Sequence, residues 1–423
     1  MAEAESVVVR PATSAAWQTW LAVGATGFGG PAGQVAILHR EVVERKRWLS
    51  EDEFLAALRV CMLLPGPEAQ QLATYAGWRL GGIAGGLVAG SLFVLPGALL
   101  VTALAWLHAA GRDVPLVASA FAGVRPAVVA LVGLAAWRIG RKSIRSPFVA
   151  VLAIAAAATL LAGVPFPVVV ACCFAVGWLV PLGQKSSSAD QLVQADTRSI
   201  PWGLRHVVVV VAAAAAIWAA CYGVVWCTQA AGGRATSIAT LFTETTLFSL
   251  GGAYAVVPWA LDESVSRGWL DASERFAALA MGEATPGPLI LVVTFIGFLA
   301  GWKAAPASAA AAGIEGACTA TLFAFLPSFA MILALAPAVR SVHAGSRVGR
   351  ALTAVGAAVV ATIAILAFRL ARDAFFDDGI IQAGRIDAVT VAMSALAAAA
   401  LAGAKVPTPI VVLAAAVVGV LRG

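Results

Sequence analysis

From Trp17 to the C-terminus the chain is a succession of apolar runs, each long enough to enter or cross a hydrocarbon layer about 30 Å thick. Backbone N–H and C=O groups in lipid must be paired within the protein, which only helices and closed barrels achieve. The runs show no period-two alternation, so they are helices. With 61% hydrophobic and 12% charged residues, the chain also lacks the polar surface a water-soluble globule needs. The expected fold is an all-α polytopic membrane protein.

Apolar segments fall at about 14–38, 54–78, 83–109, 115–137, 147–162, 166–182, 204–228, 235–260, 275–302, 307–336, 349–371, 386–404 and 406–421. The longest polar stretch, "GQKSSSADQLVQADTRSIPWG" from Gly183 to Gly203, has the composition of a flexible aqueous linker. It separates two halves that repeat one another. "RWLSEDEFLAAL" (Arg47 to Leu58) aligns with "GWLDASERFAAL" (Gly268 to Leu279), and the same register carries Pro65, Gly66 and Pro67 onto Pro286, Gly287 and Pro288. "GFGGPAG" (Gly27 to Gly33) matches "SLGGAYA" (Ser249 to Ala255), and "FVLP" (Phe93 to Pro96) matches "FAFLP" (Phe323 to Pro327). The expected organisation is a first repeat over 14–182, the linker over 183–203, one extra connecting helix over 204–228, and a second repeat over 235–421.

One unmatched crossing between two copies reverses the second, giving inverted-topology repeats of about six helical segments each. The equivalent loops carry opposed charge: Arg40, Arg45, Lys46 and Arg47 in the first half against only Arg267 and Arg275 in the second. If the first two segments of each half dip in and return, the Arg40 to Arg47 cluster is cytoplasmic. The N-terminus is then cytoplasmic and the C-terminus periplasmic. "MAEAESVVVRPATSAA" has two early glutamates and no long apolar core, so no cleavable signal sequence is expected. The net charge of +6 sits in short loops, where it sets topology and does not imply a nucleic-acid partner. The six cysteines lie in apolar runs without metal-ligand spacing, so neither a metal nor another cofactor is expected.

The duplicated Pro-Gly-Pro is where function is read. Proline removes an amide donor and pushes the preceding residue out of the helical region, which frees backbone groups at membrane depth. Lipid offers those groups nothing, so a broken helix belongs against protein or around a hydrated cavity, as in discontinuous transporter helices. Pro67 and Pro288 suit the first turn of a new half-helix, whose amides and positive dipole end attract an anion. The Pro65, Gly66, Pro67 and Pro286, Gly287, Pro288 breaks are therefore candidate substrate contacts. So are Gly29 and Gly30 with Gly251 and Gly252, which serve either close approach of a ligand or ordinary helix packing. Gln70 and Gln71 are either ligand donors or packing groups. Tyr254 reads as a membrane-interface anchor.

An ionised side chain at the bilayer centre costs about 2.5–3.5 kcal/mol even on low scales, so intramembrane charge is a second filter. Glu68, Glu244, Glu283 and Glu315 pass it, as do Arg59 and Arg125. Arg125, in "FAGVRPAVVALVGL", is the deepest cation and is either a structural ion-pair partner or a substrate ligand whose planar fork suits a tetrahedral oxyanion. Arg59, nearer a segment start, snorkels. Glu283 precedes its break and is the expected proton carrier, with Glu68, a partner for Arg125, and Glu244 as further proton-coupling candidates. The four histidines share no ligand spacing, and there is no phosphate loop or dinucleotide fingerprint, which argues against a membrane-embedded enzyme.

"FGGPAGQVAILHREVVERKRW", "CMLLPGPEAQQLATYAGWRL", "FVLPG" and "VRPAVVA", with "LGGAYAVVPW" and "GEATPGPLILVVTFIGF" in the second half, resemble the chromate ion transporter family in its long two-domain form. The resemblance is strongest from Trp17 to Arg141 and from Leu241 to Trp302. It implies a multi-pass inner-membrane secondary transporter that exports chromate on the proton-motive force and confers chromate resistance, with inverted halves. One departure is Leu250, where the first half has Phe28. The residues themselves suggest a site for a divalent oxyanion and do not choose between chromate and sulfate. A sulfate transporter or an anion channel stays open beside chromate export, and so does a homodimer.

Overall fold

The computed structural model describes residues 13–144, 146–180, 204–228, 233–250, 252–339, 346–376, 387–404 and 406–422. The linker over 183–203 and the candidate site residue Gly251 lie outside the described residues.

Both Pro-Gly-Pro sequences fold the same way, and for the same local reasons. α3 (Glu51–Leu63) starts at Ser50, whose hydroxyl accepts the Glu53 amide at 3.3 Å, and three acidic residues fill its first turn. It stops at Leu64, driven to φ −82°, ψ 144° by the proline that follows. α12 (Glu274–Ala284) stops likewise at Thr285, φ −94°, ψ 153°. Gly66 and Gly287 then adopt φ 117° and 100°, a region open to glycine. Pro67 caps α4 (Glu68–Ala110) in an extended conformation, and Pro288 does so for the short turn Leu289–Leu291 that leads into α13 (Val292–Ala304). The prolines therefore stand just before the new helices, one position earlier than the first-turn place the sequence suggests.

The chain doubles back at each break. Glu53, in the first turn of α3, bonds Tyr75 and Arg79 near the end of the outgoing arm, residues 68–80 of α4. Glu274 at the start of α12 bonds Lys303 near the end of α13 at 2.6 Å. Each pair is a helical hairpin with its break at the tip. An arm of 13 residues, like α3, rises only about 20 Å, two-thirds of the hydrocarbon layer.

A second turnabout follows. Gly81 and Gly82 (φ 63°, ψ −153°) interrupt α4, and its second arm, residues 83–110, runs back against the first. A Cβ on Gly77 would stand 2.3 Å from the Gly85 carbonyl oxygen. α13 and α14 (Ala309–Leu335) pack equally closely, with 2.4 Å from the Gly297 Cβ position to the Gly316 carbonyl oxygen. Prolines Pro96 and Pro327 lie inside the long returning helices.

α1 (Thr13–Thr26) and α2 (Gly30–His39) precede the first broken hairpin as α10 (Arg234–Leu247) and α11 (Ala253–Ser266) precede the second. Trp20 meets Trp48 at 5.3 Å between ring centroids, and Phe242 meets Trp269 at 6.4 Å, a matching pair of aromatic contacts. α5 (Pro115–Gly123) and α6 (Arg125–Ser143) meet at Val124. The two halves then trade partners. α7 (Pro147–Leu161) and α8 (Phe166–Leu179) pack on α15 (Ser346–Phe375) of the second half, whereas α16 (Ala388–Ala402) and α17 (Thr408–Arg422) pack on α6 and α5 of the first. α6 and α15 face each other between them. α9 (Leu204–Thr228) lies outside, its Trp218 stacked edge-on to Phe323 and donating to Thr243 at 2.9 Å.

Among the described residues, five helical stretches are long and apolar enough to cross a membrane: Glu68–Ala110, whose longer arm is 83–110, Pro115–Ser143, Arg205–Thr228, Pro306–Leu335 and Gly349–Phe375. The protein is thus an all-helical, polytopic membrane protein. Many of the sequence's apolar segments are helices of only 10–17 residues, too short to span the layer in a straight line. The close hairpin can be tested directly: Gly77→Leu should abolish a monodisperse peak on size exclusion, because its side chain meets backbone. Gly81→Ala, at φ −140° with nothing within 4 Å of its Cβ position, should elute as the parent does.

Candidate functional site

The backbone groups freed at each tip are met by the opposite half. The Gly66 amide donates to the Ser249 hydroxyl at 2.7 Å, and the Gly287 amide donates to the Gly27 carbonyl at 3.1 Å. Gly27 and Ser249 are equivalent in the repeat, so the two contacts are reciprocal. A second reciprocal contact surrounds them. A Cβ on Gly66 would lie 2.7 Å from the Ser328 hydroxyl, and one on Gly97 would lie 2.1 Å from the Pro286 carbonyl oxygen; Gly97 and Ser328 each follow the matched proline of the long helices. Gln71 donates to the Pro65 carbonyl at 2.7 Å, and Gln34 donates to the carbonyls of Gly27 and Gly287. Gly66, Pro67, Pro286, Gly287 and Pro288 are buried and Pro65 half-buried, so the breaks face protein.

The remaining candidates sort around these tips. Gln70 and Gln71 are fully buried and their amide nitrogens are spent on protein: Gln70 donates to Thr74 at 2.9 Å, and its oxygen accepts from Ser328 at 2.7 Å. The Gln71 Oε1 atom is left buried without a partner. Gly29 and Gly30 have φ of 94° and 68°, with only a distant contact at Gly29 and open space at Gly30. They shape the turn into α2 and are not packing contacts. Gly252, φ 93°, shapes the turn into α11, and the Glu68 carboxylate comes within 3.5 Å of its Cβ position. α2, α4 and α11 all begin without a side-chain cap, so first-turn amides there have no side-chain acceptor.

Tyr254, in the first turn of α11, donates to Glu283 at 2.6 Å. It is an internal partner of that carboxylate, where the sequence suggests an interface anchor. Glu68 does not pair with Arg125. The charge that reaches it is that of Lys142, and Arg138, one turn earlier on α6, reaches Tyr254. Arg125 stands at the other end of α6, half-buried, 5.9 Å above the ring of Phe276, and makes no ion pair among the described residues. Phe276 lies at the base of α12, so Arg125 sits about 12 Å along that helix from its tip. Glu244, half-buried on α10, also makes no side-chain hydrogen bond among the described residues. Glu315 is exposed and, with Arg234, lines a cavity of about 380 Å³ away from the tips. Another hollow, of about 390 Å³ between α5 and α17, is an apolar groove on the outer surface without converging polar groups.

The sequence did not single out the residues at the hairpin bases, although the register that aligns the breaks also aligns Glu53 with Glu274. Both are about 3% exposed. Glu53 is held by Tyr75 and Arg79; Glu274 by Lys303, with Arg112 at 3.8 Å and His108 at 3.9 Å. Breaking a buried pair by removing one partner costs about 3–5 kcal/mol. Glu53→Ala should fall near the low end, since Arg79 is one-third exposed, and would register as a fall in detergent melting temperature. Beside the second clamp, hydrogen bonding from Arg112, joined by Lys303, holds Asp271 below the usual carboxylate range. That contribution to stability is complete above the unfolded value near 3.9 and disappears as pH drops through the depressed folded value. Melting curves of the parent below about pH 4 should therefore show a loss that Asp271→Asn lacks.

The family described as Chromate transporter matches residues 15–178 and 236–420, one match in each half. The chain is similar to the chromate transport protein of Pseudomonas aeruginosa, 32% identical over 90% of this chain and 84% of that one. It is also similar to the probable chromate transport protein of Synechococcus elongatus, 27% identical over 96% and 94%. The chromate transport protein of Cupriavidus metallidurans is 27% identical over 75% and 72%. No solved structure matches the chain.

Proposed function

The chain belongs to the chromate transporter family, and from that premise we propose that it is a secondary transporter exporting chromate across the inner membrane on the proton-motive force, so conferring chromate resistance. The observation that carries the proposal is the pair of interlocked tips, with an arginine in an apolar segment, Arg125, that no carboxylate neutralises among the described residues. Unpaired intramembrane charge of this kind is the usual mark of a substrate path. α6 supplies cations at both ends, Arg125 at one and Arg138 and Lys142 at the other, so a dianion passing along it meets positive charge on entry and on exit. The tips lie toward the Arg138 and Lys142 end, where Glu68 and Tyr254 stand. Their glycine amides are engaged by the opposite half, which leaves the first-turn amides of α4, α11 and the Leu289–Leu291 turn to meet the anion. Glu68 already occupies the positive end of α4, whereas no carboxylate stands at the second break's exit.

Inverted topology supports alternating access in this reading. Re-entrant hairpins return to the side they left, and each half adds two long helices, so the one remaining crossing, α9, turns the second half over. The N-terminus is then cytoplasmic and the C-terminus periplasmic. Chromate and sulfate are both tetrahedral dianions, and sulfate is the competing substrate that the same groups would accept.

Purified protein in liposomes should take up labelled chromate, with uptake responding to an imposed pH gradient and competed by sulfate. Flux indifferent to the gradient and far faster than a carrier's would point to a channel. Arg125→Gln should abolish uptake with expression intact; unchanged kinetics would remove Arg125 from the path. Single cysteines placed near Arg141 and near Asp262 test orientation, since only the second should react with an impermeant label added outside cells.

A further inference from the structure

The repeat predicts two equivalent seams where a hairpin tip meets the opposite half, and they are chemically unequal. At the α11 seam stand Gly252, Tyr254, Glu68 and Glu283. By the registers that align the halves, the α2 seam carries Gly30, Ala32, Leu289 and Met62 in their places. One seam holds two carboxylates and a phenol; the other holds none of the three. We propose that proton coupling runs through the α11 seam alone, and that Tyr254 is the positioning residue for its proton carrier, Glu283. The inference rests on the proton-coupled reading above.

The geometry is a 2.6 Å phenol-to-carboxylate hydrogen bond between the first turn of α11 and the last turn of α12, the turn that leads into the Pro286 break. A short bond from a neutral donor to a carboxylate stabilises the ionised acceptor and fixes its direction. Protonation of Glu283 removes much of that bond's strength, and the joint between α11 and the second tip loosens. Release of the proton re-forms it. Tyr254 therefore links the charge of one carboxylate to how the second tip sits on α11, the helix whose start also meets Glu68 of the first tip, which an alanine, as at Ala32, cannot do. The charged groups facing this seam are Glu68 from α4 and Arg138 and Lys142 from α6. The packed neighbours α13 and α17 bring Lys303, engaged with Glu274 at the far base, and Arg422, which contacts Met393; α15 and α10, packed on α11, bring Arg369, paired with Asp262, and Glu244, and Cys61 of α3 stands near Glu68.

The test is the pH dependence of chromate flux in liposomes for the parent, Tyr254→Phe, Glu283→Gln and the double variant. Tyr254→Phe should move the midpoint of the pH profile about one unit upward, the size expected for a carboxylate losing one charge-assisted donor, with maximal flux within about twofold. Glu283→Gln should flatten the profile, and adding Tyr254→Phe to it should change nothing further. 3-Fluorotyrosine at position 254, a stronger donor of nearly the same shape, should move the midpoint downward and keeps the test valid if the phenylalanine variant misfolds. A Tyr254→Phe profile that superimposes on the parent's, a fluorotyrosine profile that does not move, or additive effects in the double variant would overturn the positioning role. A parent profile indifferent to pH would instead sink proton coupling itself, and this inference with it.

Discussion

Everything in this fold follows from having to satisfy broken backbone inside a membrane. A Pro-Gly-Pro interruption leaves an amide and carbonyls without helical partners, and lipid supplies none. Here the partner is the other half of the chain: Ser249 for Gly66, Gly27 for Gly287, and Gln34 for the Gly287 carbonyl. Because each tip donates to an acceptor at the equivalent position of the other half, neither half can place its own tip correctly without the other. The close glycine contacts of the flanking hairpins and the buried carboxylates at the hairpin bases serve the same end, holding short arms that span only part of the layer.

Symmetry in the backbone does not carry over to the charges. Glu53 and Glu274 are matched in position and in burial, yet one is clamped by Arg79 and the other by Lys303 with Arg112 nearby. Around the tips the divergence is wider, since Glu68, Tyr254 and Glu283 gather on one side and Arg125 has Gly356 as its counterpart in the register that pairs Pro96 with Pro327. A duplicated scaffold that keeps its geometry and specialises its side chains is suited to a cycle in which two similar conformations bind unlike things.

Much of the architecture was legible because it is written in one register. The alignment of Pro65–Pro67 with Pro286–Pro288 located both tips, and pre-proline geometry gave the conformation of Leu64 and Thr285. The turn at Gly81 and Gly82 falls in the gap between the apolar segments 54–78 and 83–109, but the close contact of the two arms was not legible, since small residues at close helix contacts look in sequence like any flexible apolar run. The partners of the buried charges were hidden for a different reason. Glu53 reaches a residue 26 positions away and Tyr254 one 29 positions away, across folded-back arms whose direction hydropathy does not reveal. Arg125 was visible as a deep cation, but its place over Phe276 at the base of α12, and not at a tip, depends on how α6 leans.

The exchange of terminal helices bears on how the chain is made. α7 and α8 emerge from the ribosome well before α15, the helix they pack against, and α5 and α6 wait longer still for α16 and α17. Until then the faces these early helices turn toward α15, α16 and α17 meet only lipid or the insertion machinery, so the first half reaches the bilayer with an unfinished surface that the second half completes.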